Sequence, residues 1–202
     1  MTITKPKPWA YLLLFVLPSI YSTKFLYLKK MKKIMFLLIV YPLFATSNLC
    51  AQNLSKNEVF DVLSRWEGKW NSFIVFEKSV WVTESFETRG ISESNLILSN
   101  NYLEIKASSG DEIGKHIIRY DKSSKQFNRW EFKSDGGTNF WIGKWNQSKE
   151  TMTWTYVDFT NTKIRGEIIE TFSSDNTINV NVVMKDKNGN NLLRISSKAN
   201  KI

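Results

Sequence analysis

The chain has 202 residues, with 28 basic and 19 acidic side chains, a formal charge of +9, one histidine and one cysteine. No acidic residue precedes position 52, whereas Lys5, Lys7, Lys24, Lys29, Lys30, Lys32 and Lys33 all do, so 28 less 7 leaves 21 basic against 19 acidic residues in the rest. A body of net charge +2 gives no electrostatic footprint for nucleic acid, one cysteine excludes an internal disulfide, and one histidine with one cysteine excludes a Cys/His metal cluster.

The basic start has the anatomy of a leader. Lys29–Lys33 form a charged region, Ile34–Phe44 an apolar run and Ala45–Ala51 a stretch of small residues, the three parts of a secretory signal. The apolar run is shorter than the roughly 20 residues a bilayer span requires. We read residues 31–51 as a signal peptide, cleaved after Ser47 or after Ala51, and the mature chain as exported to the periplasm or beyond, with no stable membrane span. Met31-Lys32-Lys33 resembles a natural start, so residues 1–30, with their apolar stretch Trp9–Ile20 broken by Pro18, read as a mis-called extension. The rival is a membrane hairpin of the two apolar runs. Cys50 comes after Ser47-Asn48-Leu49, a poor context for lipid anchoring, which prefers a small residue before the cysteine.

Residues 52–202 contain no proline and no linker, and read as one domain. It opens on a capping box, Ser55 with Glu58, after which Val59, Val62, Leu63 and Trp66 recur at helical spacing until Gly68. Beyond Gly68 the period becomes two. Met152, Trp154 and Tyr156 alternate with threonines, and Ile178, Val180, Val182 and Met184 alternate with Thr177, Asn179 and Asn181. Turn residues such as Asp135-Gly136-Gly137, Asn161-Thr162, Asp175-Asn176 and Asn188-Gly189 punctuate the pattern.

The spacing predicts strands near 70–77, 80–89, 94–107 (with a break at Asn100-Asn101), 113–121, 126–133, 138–146, 151–158, 163–172, 177–185 and 191–198. Nine or ten antiparallel strands with short connections and one small helix predict an all-β, up-and-down barrel, since closure removes the edges of so long a meander. A two-sheet sandwich is the alternative.

The tripeptide Gly-Lys-Trp occurs twice, as Gly68-Lys69-Trp70 and Gly143-Lys144-Trp145. The residues after Trp70 continue a strand and those after Trp145 enter a turn, so a local need for Gly beside a bulky Trp explains the pair better than duplication. Helix, then Gly-x-Trp, then a strand meander resembles the start of the lipocalin-like (calycin) barrels. The resemblance is closer to an uncharacterised bacterial family of small exported lipocalin-like domains. It runs through Leu63-Ser-Arg-Trp-Glu-Gly-Lys-Trp70, Tyr120-Asp121, Trp130 before Ser134-Asp135-Gly136, Gly143-Lys-Trp-Asn146 and Met152-Thr-Trp154, and covers residues 58–198. It implies that Gly68 and Trp70 seal one barrel end, with a basic residue of the last strand, Arg194, lying over Trp70. Arg194 as a solvated strand residue is the equal alternative.

Seven of the eight tryptophans lie in the body. They are either core filling or the walls of a pocket for a small apolar ligand of the lipid or fatty-acid class. If the faces of Trp130 and of Trp154 point inward, the pocket offers Trp130, Trp154 and Tyr156 as walls, with Tyr120, Arg119 and His116 as polar handles. Some barrels of the resembled superfamily hold haem through a histidine; for His116 a plain strand histidine is the competing reading, and we expect no cofactor. No nucleophile–histidine pair, P-loop or HExxH string is present. A catalytic reading would therefore need His116 or inward carboxylates drawn from Glu84, Glu104, Glu131, Glu167 and Glu170, and no catalytic residue or metal ligand is assigned. The other alternative is a filled barrel whose outer surface, with Ile117, Val157, Ile169 and Val183, meets a partner.

Expressed in a bacterium with its leader intact, the exported protein should begin at Asn48 or Gln52 by N-terminal sequencing. A chain still starting at Met1 or Met31 would overturn the leader assignment.

Overall fold

The structure, a computed structural model, describes residues 53–202. The segment read as a leader, with the cleavage sites expected for it, and Cys50 lie outside the described residues.

Helix α1 spans Lys56–Ser64. Its first turn is closed by the predicted box: the Glu58 amide donates to Ser55 Oγ and the Ser55 amide donates to Glu58 Oε2 at 2.7 Å. The buried stripe is Val59, Val62 and Leu63, and Trp66 and Trp70 continue it into the sheet.

Ten strands complete the domain: β1 (Gly68–Glu77), β2 (Phe86–Ile97), β3 (Tyr102–Ser109), β4 (Glu112–Asp121), β5 (Gln126–Lys133), β6 (Thr138–Asn146), β7 (Thr151–Tyr156), β8 (Arg165–Ser174), β9 (Thr177–Lys185) and β10 (Asn191–Lys201). Each pairs antiparallel with its sequence neighbours, and β1 pairs with β10 from Trp70↔Lys201 to Glu77↔Arg194. The sheet is a closed up-and-down barrel. That continuous β1–β10 ladder excludes the sandwich.

The pattern misplaced one strand. Residues 78–85 form a loop, and β2 begins at Phe86. Val80-Trp81-Val82 resembles a strand core, but the amides of Val80 and Trp81 donate to the carbonyls of Asn191 and Leu192, capping the start of β10 from outside. The stretch predicted over 94–107 is two strands. Leu98, Ser99 and Asn100 all adopt left-handed φ (51°, 58° and 63°), and Asn101 Nδ2 donates to the Leu98 carbonyl, closing a hairpin turn.

The two Gly-Lys-Trp copies answer different needs. Gly68 has φ +112°, a conformation other residues avoid where α1 turns into β1. Gly143 faces inward, and a Cβ there would stand 2.5 Å from the six-membered ring of Trp154. One glycine bends the chain; the other makes room for an indole.

The closed end of the barrel is an aromatic plug. Trp66 meets Phe172 edge-on with centroids 4.7 Å apart, and Trp145 meets the same ring at 5.7 Å. Arg65 lies over Trp145 and Phe172 and pairs with Glu150 at 2.8 Å, a half-exposed bridge worth about 0–1 kcal/mol. The weight is in the burial, at about 1.5–3 kcal/mol for each large apolar side chain.

Gly143→Ala should lower the thermal midpoint, with a loss of about 1–3 kcal/mol from overpacking against Trp154. Gly114→Ala, whose new methyl would meet only ordinary contacts at 3.6 Å and beyond, should leave the midpoint nearly unchanged. Equal melting curves for both variants would contradict the packing assigned to Trp154.

Candidate functional site: a polar cluster beside an interior cavity

Strand alternation and the cross-strand pairs sort every side chain into inside or outside. The inside is filled unevenly. Across β5–β8 the inward positions carry Phe127, Trp141, Trp145, Met152, Trp154 and Phe172, all buried. Across β1–β3 and β10 they include a set of small residues: Ser72, Gly90, Ser92, Ser94, Ala107 and Ala199. Bulky side chains close one half, and a cavity of about 290 Å³ remains in the other. Its floor is Trp66 and Trp70, its wall includes Ile105, Ile178 and Val180, and its rim is formed by Glu112, Ile113, Lys133, Ser134 and Asp135.

Arg129 stands between the filled and hollow halves. It is buried, lines the cavity, and is held by two carboxylates: Nη1 donates to Glu170 Oε1 at 2.9 Å and Nη2 forms an ion pair with Glu131 Oε1 at 2.8 Å. Glu170 Oε2 accepts from Trp154 Nε1 at 3.0 Å, and Glu131 Oε2 from Asn139 Nδ2 at 3.1 Å. Arg129 also lies 5.6 Å over the Trp154 ring. A buried charge survives only when paired and hydrogen-bonded, and here both conditions are met.

His116 completes the cluster, with Nδ1 at 3.0 Å from Arg129 Nη2. A guanidinium can only donate, so Nδ1 accepts and the imidazole proton sits on Nε2. Burial, reinforced by the positive charge of Arg129 and opposed by Glu131, pushes the His116 pKa down to about 3. Burial pushes Glu131 upward, but Arg129 outweighs it and holds the carboxyl at about 2. Arg129 itself, despite burial, is raised by Glu131 and Glu170. The cluster therefore comprises one guanidinium, two carboxylates engaged with it and a neutral imidazole.

The sequence-predicted site residues part company here. His116 lines the cavity. Trp154 is inward but wholly covered, and serves as the donor that orients Glu170. Tyr156 is inward and packs edge-on against Trp141, 5.2 Å between centroids, away from the cavity. Tyr120 is inward at the closed end, where its hydroxyl accepts from the Leu54 amide and its ring meets Phe127. Trp130 and Arg119 are on the outer face: the inward partners in β5 are Phe127, Arg129 and Glu131, so the alternation that carries Trp130 with Asn128 and Phe132 points outward. There Arg119 lies 5.7 Å over the Trp130 ring.

Gly68 and Trp70 lie at the start of β1, with Trp70 Nε1 donating to the Trp66 carbonyl at 2.8 Å. The cation over Trp70 is Lys201, 5.5 Å from the ring centroid. Arg194 pairs instead with Glu77 at 2.9 Å. The register places Arg194 opposite Glu77 and Lys201 opposite Trp70, and seven residues of strand separate the two ends by about 23 Å. Among the carboxylates considered, Glu131 and Glu170 point inward; Glu104 is outside with Lys115 and Lys106, and Glu84 is in the loop before β2.

Sequence reasoning missed Arg129 and the small-residue wall. The signal for the wall was present: Gly90, Ser92 and Ser94 recur at period two, as do Ala107 and Ser109. Such a run leaves space rather than filling it.

No family model matches the chain, and no curated protein does. Several solved structures are similar to it. Rv2717c from M. tuberculosis superposes with a TM-score of 0.55 at 9% identity, covering 74% of this chain and 99% of that one. The S-type phycobiliprotein lyase CPES from Guillardia theta gives 0.48 at 12% identity, over 75% of this chain and 95% of that one. A Nostoc punctiforme protein of the DUF3598 family, of unknown function, gives 0.47 at 6% identity, over 78% and 53%. The likeness to Rv2717c is one of fold alone.

Acid should unfold this protein in two overlapping stages. His116, depressed from 6.5, stays neutral in the fold while the unfolded chain takes up a proton, so stability falls as pH drops from 6.5 toward 3. Glu131, depressed from 4.5 to about 2, contributes stability above pH 4.5 that is lost as pH falls toward 2. Both slopes have the same sign. The thermal midpoint should decline from about pH 7 to 3, and His116→Gln should flatten the arm above about pH 4.5 and leave a shallower decline, that of Glu131, below it. A flat profile for the parent protein would contradict the buried cluster.

Proposed function

We propose that this protein is an exported carrier that holds one small apolar molecule inside its barrel, without chemistry on it. The observation that carries the reading is the interior cavity of about 290 Å³, with an indole floor and a rim at the opposite barrel end. That volume lies at the lower edge of small-molecule sites, roughly 300–1,000 Å³, and suits a ligand of medium chain length. Export rests on the leader. The cluster supports holding over acid–base catalysis, because Glu131 and Glu170 are consumed by Arg129 and His116 is a weak base.

A second reading has one specific observation behind it. On the outer wall Trp130 lies 5.1 Å from Phe140, which stacks on Phe159 at 5.7 Å, and Phe159 is 75% exposed. This aromatic row would suit a protein partner, with the interior merely structural.

The two readings separate on the cavity. Ser92 and Ala107 are cross-strand partners lining it, so the double variant Ser92→Leu, Ala107→Leu should fill it. Mass spectrometry of an organic extract of the purified protein should reveal a co-purifying apolar molecule, and a lipid panel should quench tryptophan fluorescence saturably. Both signals should disappear in the double variant while its circular dichroism is unchanged. An empty extract with no quenching in the parent protein would sink the carrier and favour the outer row.

A further inference from the structure

The charge distribution around the cavity constrains the head group of what it holds. Arg129 invites the expectation of a carboxylate ligand, as in a fatty-acid carrier, but its charge is already spent. Nη1 and Nη2 are engaged by Glu170 and Glu131, and only Nε is left without a partner. An anion arriving at Nε would meet one cation and two carboxylates. At the rim the lining holds Lys133 together with Asp135 and Glu112, one positive and two negative side chains. Lys201 lies over Trp70 and is not part of the lining. An anionic head would therefore lose its hydration and meet more negative than positive side chains at either depth.

Neutral donors are present. With Nδ1 accepting from Arg129, the His116 proton is on Nε2, which has no hydrogen-bond partner among the described residues. The space beside it is the missing side chain of Gly114, where a Cβ would stand 3.8 Å from Nε2. Ser72 and Ser92 add hydroxyls along the hollow wall. The arrangement is a single oriented N–H above an apolar floor, made permanent because Arg129 dictates the tautomer.

We infer that the cavity selects an apolar molecule carrying a neutral hydrogen-bond acceptor, such as a ketone, ester or amide carbonyl, received by His116 Nε2, and discriminates against carboxylates. This inference rests on the carrier reading and narrows its ligand. Arg129 acts on the ligand only through His116 and is a positioning residue.

The test is a matched pair of probes, a medium-chain methyl ketone and the carboxylate of the same length, titrated against the purified protein at neutral pH by calorimetry and tryptophan quenching. The ketone should bind at least about tenfold more tightly. His116→Phe should weaken the ketone by roughly 3- to 10-fold, one hydrogen bond, while leaving the carboxylate unchanged. His116→Gln, which can accept from Arg129 and still present an N–H, should restore ketone binding. The carbonyl stretch of the bound ketone should shift to lower frequency in the parent and in His116→Gln, and not in His116→Phe. A carboxylate that binds as well as the ketone, or a ketone affinity indifferent to His116→Phe, would overturn the inference and leave the carrier intact. Binding of neither probe, with no co-purifying molecule, would overturn the carrier and the inference together.

Discussion

The buried guanidinium of Arg129 is the constraint on which the interior depends. A cation inside a barrel needs opposite charge at bonding distance, and Glu131 and Glu170 supply it from its own strand and from β8. Each carboxylate must then satisfy its second oxygen, which recruits Asn139 and the indole of Trp154. Trp154 in turn needs flat space, and Gly143 provides it. On the other side the guanidinium sets the His116 tautomer. One charge thus orders the filled half and chemically defines the wall of the hollow one.

The asymmetry of filling is the second organising fact. A ten-strand barrel encloses more volume than medium-sized side chains can occupy, so large residues must fill it or a void remains. Here Trp141, Trp145 and Trp154 are gathered in β6 and β7 and a set of small residues in β1–β3 and β10. The plug of α1, Trp66 and Trp70 closes one end. The result is a one-ended cavity with an apolar floor and a polar flank in which the carboxylates of Glu131 and Glu170 outnumber the guanidinium of Arg129.

Legibility in the sequence tracked the range of the interaction. The helix was readable because the Ser55–Glu58 box spans three residues, and most strands because alternation is local. The loop at 78–85 was misread because Val80, Trp81 and Val82 have strand composition, while the Val80 and Trp81 amides bond to Asn191 and Leu192, at the far end of the chain. Arg194 over Trp70 failed for a related reason. Which residue of β10 lies opposite Trp70 depends on the register of barrel closure, and only the β1–β10 ladder settles that in favour of Lys201.

The sequence by itself determined that the body is a single all-β meander with a capped helix, without a disulfide, and with enough indole to build a core. Period-two alternation is a property of neighbouring residues and needs no partner to be seen. The tertiary structure alone decided which of the two faces of each strand is inside. That placed Trp130 and Arg119 outside and brought His116, Arg129, Glu131 and Glu170 from three strands into one cluster. The choice of face is made by closure, because a strand's alternation is the same whichever side is turned to the core.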